Sequence, residues 1–170
     1  MKSVQPERTA NAALPGGGPV QSLLLRLELK SDPKLLCAVR GAVERLTEAF
    51  GFSSEECRAV TRAVDEALTN IIRHAYGGRP DQPIEVFFQS VHRQSGNLSD
   101  RGLEILLCDR GQAIDESKLC GRELDDVKPG GLGLHFIQKS MDIVEFKRAD
   151  GTNRLRLVKY LSAPKQGVNT

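Results

Sequence analysis

The sequence predicts an α+β sandwich in which a mixed, mostly antiparallel sheet carries its helices on one face. Three observations lead there. Two helical patterns follow one another with no strand between them, and two pairs of strands are joined by turn chemistry. The resulting order (β, α, α, β, β, long loop, α, β, β) lacks the strict strand–helix alternation of a parallel doubly wound sheet. At 170 residues the chain can bury the core of one ordinary domain.

Residues 1–20 mix Pro, Gly, Ala, Gln and charge without apolar periodicity and are expected to be a flexible tail. The domain is expected over 21–163, followed by a short tail over 164–170. It opens with Leu23, Leu25, Leu27 and Leu29 alternating with Leu24, Arg26, Glu28 and Lys30, the period of a strand. Asp32 and Pro33 supply a cap and a first-turn proline for a helix whose inner stripe is Leu35, Leu36, Val39, Ala42, Val43, Leu46 and Phe50, ending at Gly51. Ser53 and Glu56 form a capping box that starts the next helix.

That second helix runs through AVDEALTNIIRHAYGG. At about 100° per residue, Val60, Val64, Leu68, Ile71 and Ala75 share one stripe, while Glu66, Asn70, Arg73 and Gly77 share a nearly opposite one. The run GGRPDQP then turns the chain into a strand with Ile84, Val86 and Phe88 on one side. A polar loop over 91–102, mobile in expectation, separates it from the strand LEILLCD. Residues 109–129 have little periodicity and read as a long loop, a length that tends to mark a lid. GGLGLHFIQKSMD reads as a glycine-rich entry into a helix with Leu134, Ile137 and Met141 inward, and a final strand pair turns at Ala149–Gly151.

Composition narrows the function. A net charge of +2 offers no basic stripe for nucleic acid. No apolar run is long enough for a bilayer and no signal peptide is recognisable, so a cytoplasmic location is expected. Cys37, Cys57, Cys108 and Cys120 lack zinc-ligand spacing and are expected to be reduced and mostly buried.

Three pieces carry chemistry. The helix presents Glu66 and Asn70 one turn apart. Asp109 stands where a buried strand leaves the sheet and can accept a hydrogen bond from an exocyclic amine, although an aspartate before Arg110 and Gly111 is more often a simple turn former. Glycines just before a helix leave backbone N–H groups open to an anion, although a plain glycine-rich helix entry is commoner than a phosphate site.

In this order the three pieces resemble the N, G1 and G2 boxes of the Bergerat-type ATP-binding fold shared by gyrase, Hsp90, histidine kinases and MutL, over roughly Ser22 to Leu161. EALTNIIRHAY and GGLGLHFIQKSMDIVEF are similar to the anti-sigma factor serine/threonine kinases of the RsbW and SpoIIAB kind. The resemblance implies ATP and Mg²⁺ as cofactors, Glu66 as general base and Asn70 as Mg²⁺ ligand. It implies that Asp109 holds the adenine amine with Gly111 against the ring, and that the turn Gly130, Gly131, Leu132, Gly133 and Leu134 meets the phosphates. The segment between Gln112 and Pro129 would be the ATP lid. Thr152 would touch the nucleotide site. Arg73 would meet a phosphate or a partner, a solvated arginine being as frequent, and His74 would have a structural role. Ala113 departs from the pattern, which often has a second glycine there.

The function implied is phosphorylation of a small STAS-type antagonist by a kinase that otherwise sequesters a sigma factor, working as a homodimer without direct contact to nucleic acid or membrane. A histidine kinase would need a phosphoacceptor histidine ahead of the N box, and His74, His92 and His135 all lie within or after it. A nucleotide-binding regulatory module that acts through partner contacts stays open, because binding and transfer share Asn70 and the glycines.

Overall fold

A computed structural model describes residues 22–95, 98–113 and 132–161. Five strands form one sheet in the order β1-β2-β3-β5-β4. They are β1 (Ser22–Lys30), β2 (Pro83–Ser95), β3 (Leu98–Asp109), β4 (Ile143–Ala149) and β5 (Thr152–Tyr160). Among the described residues three α-helices accompany them: α1 (Leu36–Phe50), α2 (Ser54–Asn70) and α3 (Leu132–Ser140). Every strand pairing is antiparallel, so the sheet is wholly antiparallel rather than mixed.

Topology brings the candidate residues to one end of the sheet. Between β1 and β2 the chain makes a helical hairpin, and an even number of helices returns it to the end it left, where Lys30 pairs with Pro83. Ser31 seals the return: its N–H donates to the Gln82 carbonyl at 2.8 Å, and its hydroxyl donates to the Arg79 carbonyl while accepting from the Gln82 N–H. β3 ends at this same edge, because Asp109 pairs with Ile84 and with Asn153. α2 also runs toward it, since Phe50 at the end of α1 is held at the opposite edge by Arg101, whose guanidinium donates to the Phe50 carbonyl at 2.9 Å.

The local signals act as expected. Asp32 accepts from the Lys34 N–H at 2.9 Å above a single 3₁₀ turn, Pro33–Leu35, that leads into α1. Gly51 closes α1 with a left-handed φ of 90°. Both arms of the Ser53–Glu56 capping box are made, at 2.8 and 3.3 Å. Between β4 and β5, Asp150 and Gly151 have φ of 51° and 73°, the two positive values of a two-residue hairpin turn.

The core lies between the sheet and the helices. From α2 it takes Val60, Ala63, Val64, Ala67 and Leu68, and from the sheet Ile84, Val86, Phe88, Leu103, Ile105, Leu107 and Leu157. Each fully buried Val, Leu, Ile or Phe contributes about 1.5–3 kcal/mol, so packing fixes the rotation of α2 and thereby the direction of its polar face.

The structure departs from expectation in four places. Residues 91–102 are not a loop joining two short strands; pairing continues from Val91↔Gly102 to Ser95↔Leu98. Polar composition hid the strand, because a ladder needs only backbone partners, and here the Arg93–Asp100 ion pair at 2.9 Å and Arg93 stacked 4.3 Å over the Tyr160 ring reinforce it. In β1 a register shift between Leu23 and Leu25 leaves Leu23 and Leu24 exposed, while Leu25, Leu27 and Leu29 pack on the core. In α1 the inner stripe holds Thr47, whose hydroxyl donates to the Val43 carbonyl, and excludes the exposed Leu35. Cys37 is exposed and Cys57 half-buried, so of the described thiols only Cys108 is buried. The two tails and Cys120 lie outside the described residues.

Candidate nucleotide site

α2 does not continue as an α-helix to the glycine pair. After Asn70 the backbone widens into one π turn, Ile71–Ala75, in which the Tyr76 N–H donates to the Ile71 carbonyl at 3.0 Å. Such turns are rare and recur at functional sites. The widening alters the stripe read from uniform helical spacing: Glu66 and Asn70 stay one turn apart and half-buried on α2, Arg73 and His74 are exposed on the π turn, and Gly77 lies beyond it with φ of 62°. Gly78 closes the end by donating to the Ile72 carbonyl at 2.8 Å.

Glu66 faces α3. A Cβ built on Gly133 would stand 2.5 Å from Cδ and 2.8 Å from Cγ of Glu66 and would overlap Oε1. The two boxes therefore meet in space, with the carboxylate lying directly on the glycine. They share a cavity of about 430 Å³ with Arg62, His135, Phe136 and Lys139, and the Arg62 guanidinium stacks 4.6 Å over the Phe136 ring. This gives the acid a cationic rim.

Asp109 is 3% exposed. Its Oδ1 accepts from the Gly111 N–H and from the Asn153 amide, both at 2.8 Å. The first bond is the turn that an aspartate in this position makes. Burial pushes the Asp109 carboxyl above its ordinary value, opposed by the Gly111 N–H, the Asn153 amide and the charge of Arg148. Gly111 is buried against the π turn: a Cβ there would lie 2.5 Å from the Ala75 oxygen and 2.6 Å from its carbonyl carbon. The close approach that requires glycine at 111 is thus to Ala75, and the next residue strengthens it, the Gln112 N–H donating to the Ala75 carbonyl at 2.9 Å. Tyr76 ties the strand end in as well, its hydroxyl donating to the Pro83 carbonyl and accepting from the Arg110 N–H.

Of the other expected residues, Ala113 is exposed, Gly133 and Leu134 are half-buried on α3, and Leu132 begins that helix. Thr152 begins β5 and borders, with Asp109, a hollow of about 700 Å³ at the end of the sheet. That hollow also touches Glu28 and Glu85 on the helix-free face, so it wraps the sheet edge; the carboxylates of Asp109 and Glu66 define the site better. Gly130, Gly131 and the lid over 114–129 lie outside the described residues. Sequence reading missed Asn153, Arg148 and Tyr76, which hold Asp109 and its turn; an Asn two residues past an Asp-Gly turn was the available signal.

The sequence over residues 29–159 matches the family model described as histidine kinase-like ATPase domain. The chain belongs to that family. Among curated relatives, the chain is 27% identical over 147 residues to a serine-protein kinase RsbW of Bacillus pumilus, covering 82% of this chain and 86% of that protein. It is 29% identical over 139 residues to the RsbW of Listeria innocua, covering 81% and 87%. A solved structure of the RsbU and RsbW domains of Rv1364c from Mycobacterium tuberculosis shares the fold, with a TM-score of 0.55 at 17% identity. The match covers 86% of this chain and 35% of that longer one. No helix among the described residues is long and apolar enough to cross a membrane.

Proposed function

We propose that this ATPase-family chain is a serine/threonine protein kinase and anti-sigma factor. It transfers the γ-phosphoryl group of ATP to a serine or threonine of a small STAS-type antagonist and otherwise holds a sigma factor. The observation that carries the reading is the contact of Glu66 with Gly133, which sets a carboxylate beside the start of α3. Relatives named serine-protein kinase over four-fifths of the chain support it.

In this reading the Asp109 carboxylate takes the purine amine, and the Gly133 N–H at the start of α3 faces the phosphates, where helix N-termini favour negative charge. Glu66 accepts the proton of the attacking hydroxyl, a role worth about 10²–10⁴ in rate. Arg73, exposed on the π turn, and Thr152, at the start of β5, border the nucleotide. The Asn70 side-chain oxygen, half-buried one turn beyond Glu66, is a hard donor of the kind Mg²⁺ takes, and it would hold the ion together with the nucleotide's phosphates. When bound, the ion neutralises phosphate charge. The working unit is a cytoplasmic homodimer, which sedimentation of the purified chain checks.

The test compares wild type with Glu66→Ala, using STAS-type antagonist proteins from the same organism and Mg²⁺-ATP. The expected result is loss of phosphorylation by about 10²-fold or more with ATP affinity kept. An unchanged rate removes Glu66 from the role of base, and absence of any transfer by wild type favours a regulatory module that binds nucleotide without using it.

A further inference from the structure

Asp109 has two carboxylate oxygens, and the described protein donors treat them unequally. Both the Gly111 N–H and the Asn153 Nδ2 donate to Oδ1. Asn153 is 1% exposed, and its Nδ2 also donates to the Gln112 carbonyl at 3.0 Å. An amide could present either its oxygen or its nitrogen to Asp109. Arg148 decides which: its guanidinium, a donor only, donates to the Asn153 Oδ1 and, at 3.1 Å, to the Gly111 carbonyl. The Asn153 oxygen is thereby committed to Arg148, and its nitrogen must face the acceptors, Asp109 and Gln112. The β4–β5 hairpin makes this possible by pairing Arg148 with Asn153 and Asn153 with Asp109.

We propose that Asn153, oriented by Arg148, is the positioning residue for base selection: it engages Oδ1 of Asp109 and so turns Oδ2 to the 6-position of the purine. The pocket then accepts a 6-amino purine, which donates, and rejects a 6-oxo purine, whose oxygen meets a carboxylate. This rests on the nucleotide-binding reading and adds the element that enforces its selectivity. Asn153 does not touch the ligand; it acts through Asp109. The chain carries this device one residue beyond Thr152, on the face of β5 that Leu155 and Leu157 continue inward.

The test is equilibrium binding of Mg²⁺-ATP and Mg²⁺-ITP, which differ at the purine ring in the 6-amino against the 6-oxo group and in the proton that the 6-oxo base carries on N1. Wild type is compared with Asn153→Ala, Asn153→Asp and Arg148→Ala, each checked by thermal melting. A hydrogen bond to a charged group corresponds to a preference of about tenfold or more. Wild type is expected to prefer ATP by at least that factor. The variants are expected to bind ITP as wild type does and ATP more weakly, bringing the two within about threefold. Equal losses for both nucleotides, or an unchanged preference in folded variants, overturn the inference while leaving nucleotide binding standing. Should Asn153→Ala not fold, Arg148→Ala, at an exposed residue, carries the same comparison. Failure of wild type to bind ATP at all overturns the underlying reading, and the inference with it.

Discussion

Gly133→Ala separates stability from catalysis in this molecule. An added Cβ would lie 2.5 Å from Glu66 Cδ and 2.8 Å from Cγ, closer than the shortest ordinary contact to a Cβ, about 3.5 Å at the optimum. The colliding atoms belong to the far end of a half-buried side chain rather than to backbone, so Glu66 swings aside. Moving it off its rotamer costs about 0.5–1.5 kcal/mol. Replacing glycine by alanine in the first turn of a helix returns about 0.4–1 kcal/mol through the unfolded chain, so the net change in stability stays within about 1 kcal/mol. Catalysis is different: a base must stay within about 2.6–3.2 Å of the oxygen whose proton it takes, and the displaced carboxylate no longer does. Single-turnover transfer from ATP to the antagonist is expected to fall by about 10²-fold while the melting temperature moves by no more than about 4 °C. Combined with Glu66→Ala, the glycine substitution is expected to add almost nothing, since no carboxylate remains to be displaced. Full activity of Gly133→Ala, or a loss that adds to that of Glu66→Ala, would refute this account of the contact.

Other substitutions have contrasting expectations. Gly111→Ala drives its Cβ into the Ala75 carbonyl, which is backbone and cannot swing away, so a loss of about 1–3 kcal/mol is expected in denaturant titrations. Ser53→Ala removes the hydroxyl arm of the capping box, leaves the backbone N–H arm to Glu56, and should cost about 1 kcal/mol by the same measurement, with nucleotide affinity unchanged. Asn70→Ala should weaken ATP binding in the presence of Mg²⁺ and leave binding in EDTA unaltered; equal effects in both buffers would remove Asn70 from the ion's shell. The Cys108 thiol is pushed up to about 11 by burial, so it stays protonated, and therefore unreactive, until the pH nears that value. Near neutral pH, iodoacetamide followed by peptide mass mapping should modify exposed Cys37 and spare Cys108 until the chain is unfolded.

What the sequence displays and what it conceals divide along the range of the interactions. Ser53 with Glu56, Gly51, and Asp150 with Gly151 act on their own neighbours, and each was legible. The inner stripe of α2 was legible because burial repeats at the helical period. β2 and β3 beyond Val91 were not, since their pairing partners lie across a hairpin and their side chains are polar. The π turn was hidden as well: nothing in IIRHA announces that the backbone widens there, so Arg73 was placed one stripe too neatly. Within the site, Glu66, Asn70 and Asp109 stood out by motif. Their supports, Asn153 from 44 residues away and the π turn that Gly111 packs on, become visible only when the strands are paired.

The central claim is transfer of phosphate from ATP to a protein hydroxyl. It is tested most directly by incubating the chain with Mg²⁺-ATP labelled in the γ-phosphate and a STAS-type antagonist from the same organism, then locating the label by peptide mass spectrometry after an acid wash. The account predicts acid-stable phosphate on one serine or threonine of the antagonist, made by wild type and not by Glu66→Ala. Acid-labile label on a histidine, or equal labelling by the two proteins, would contradict it.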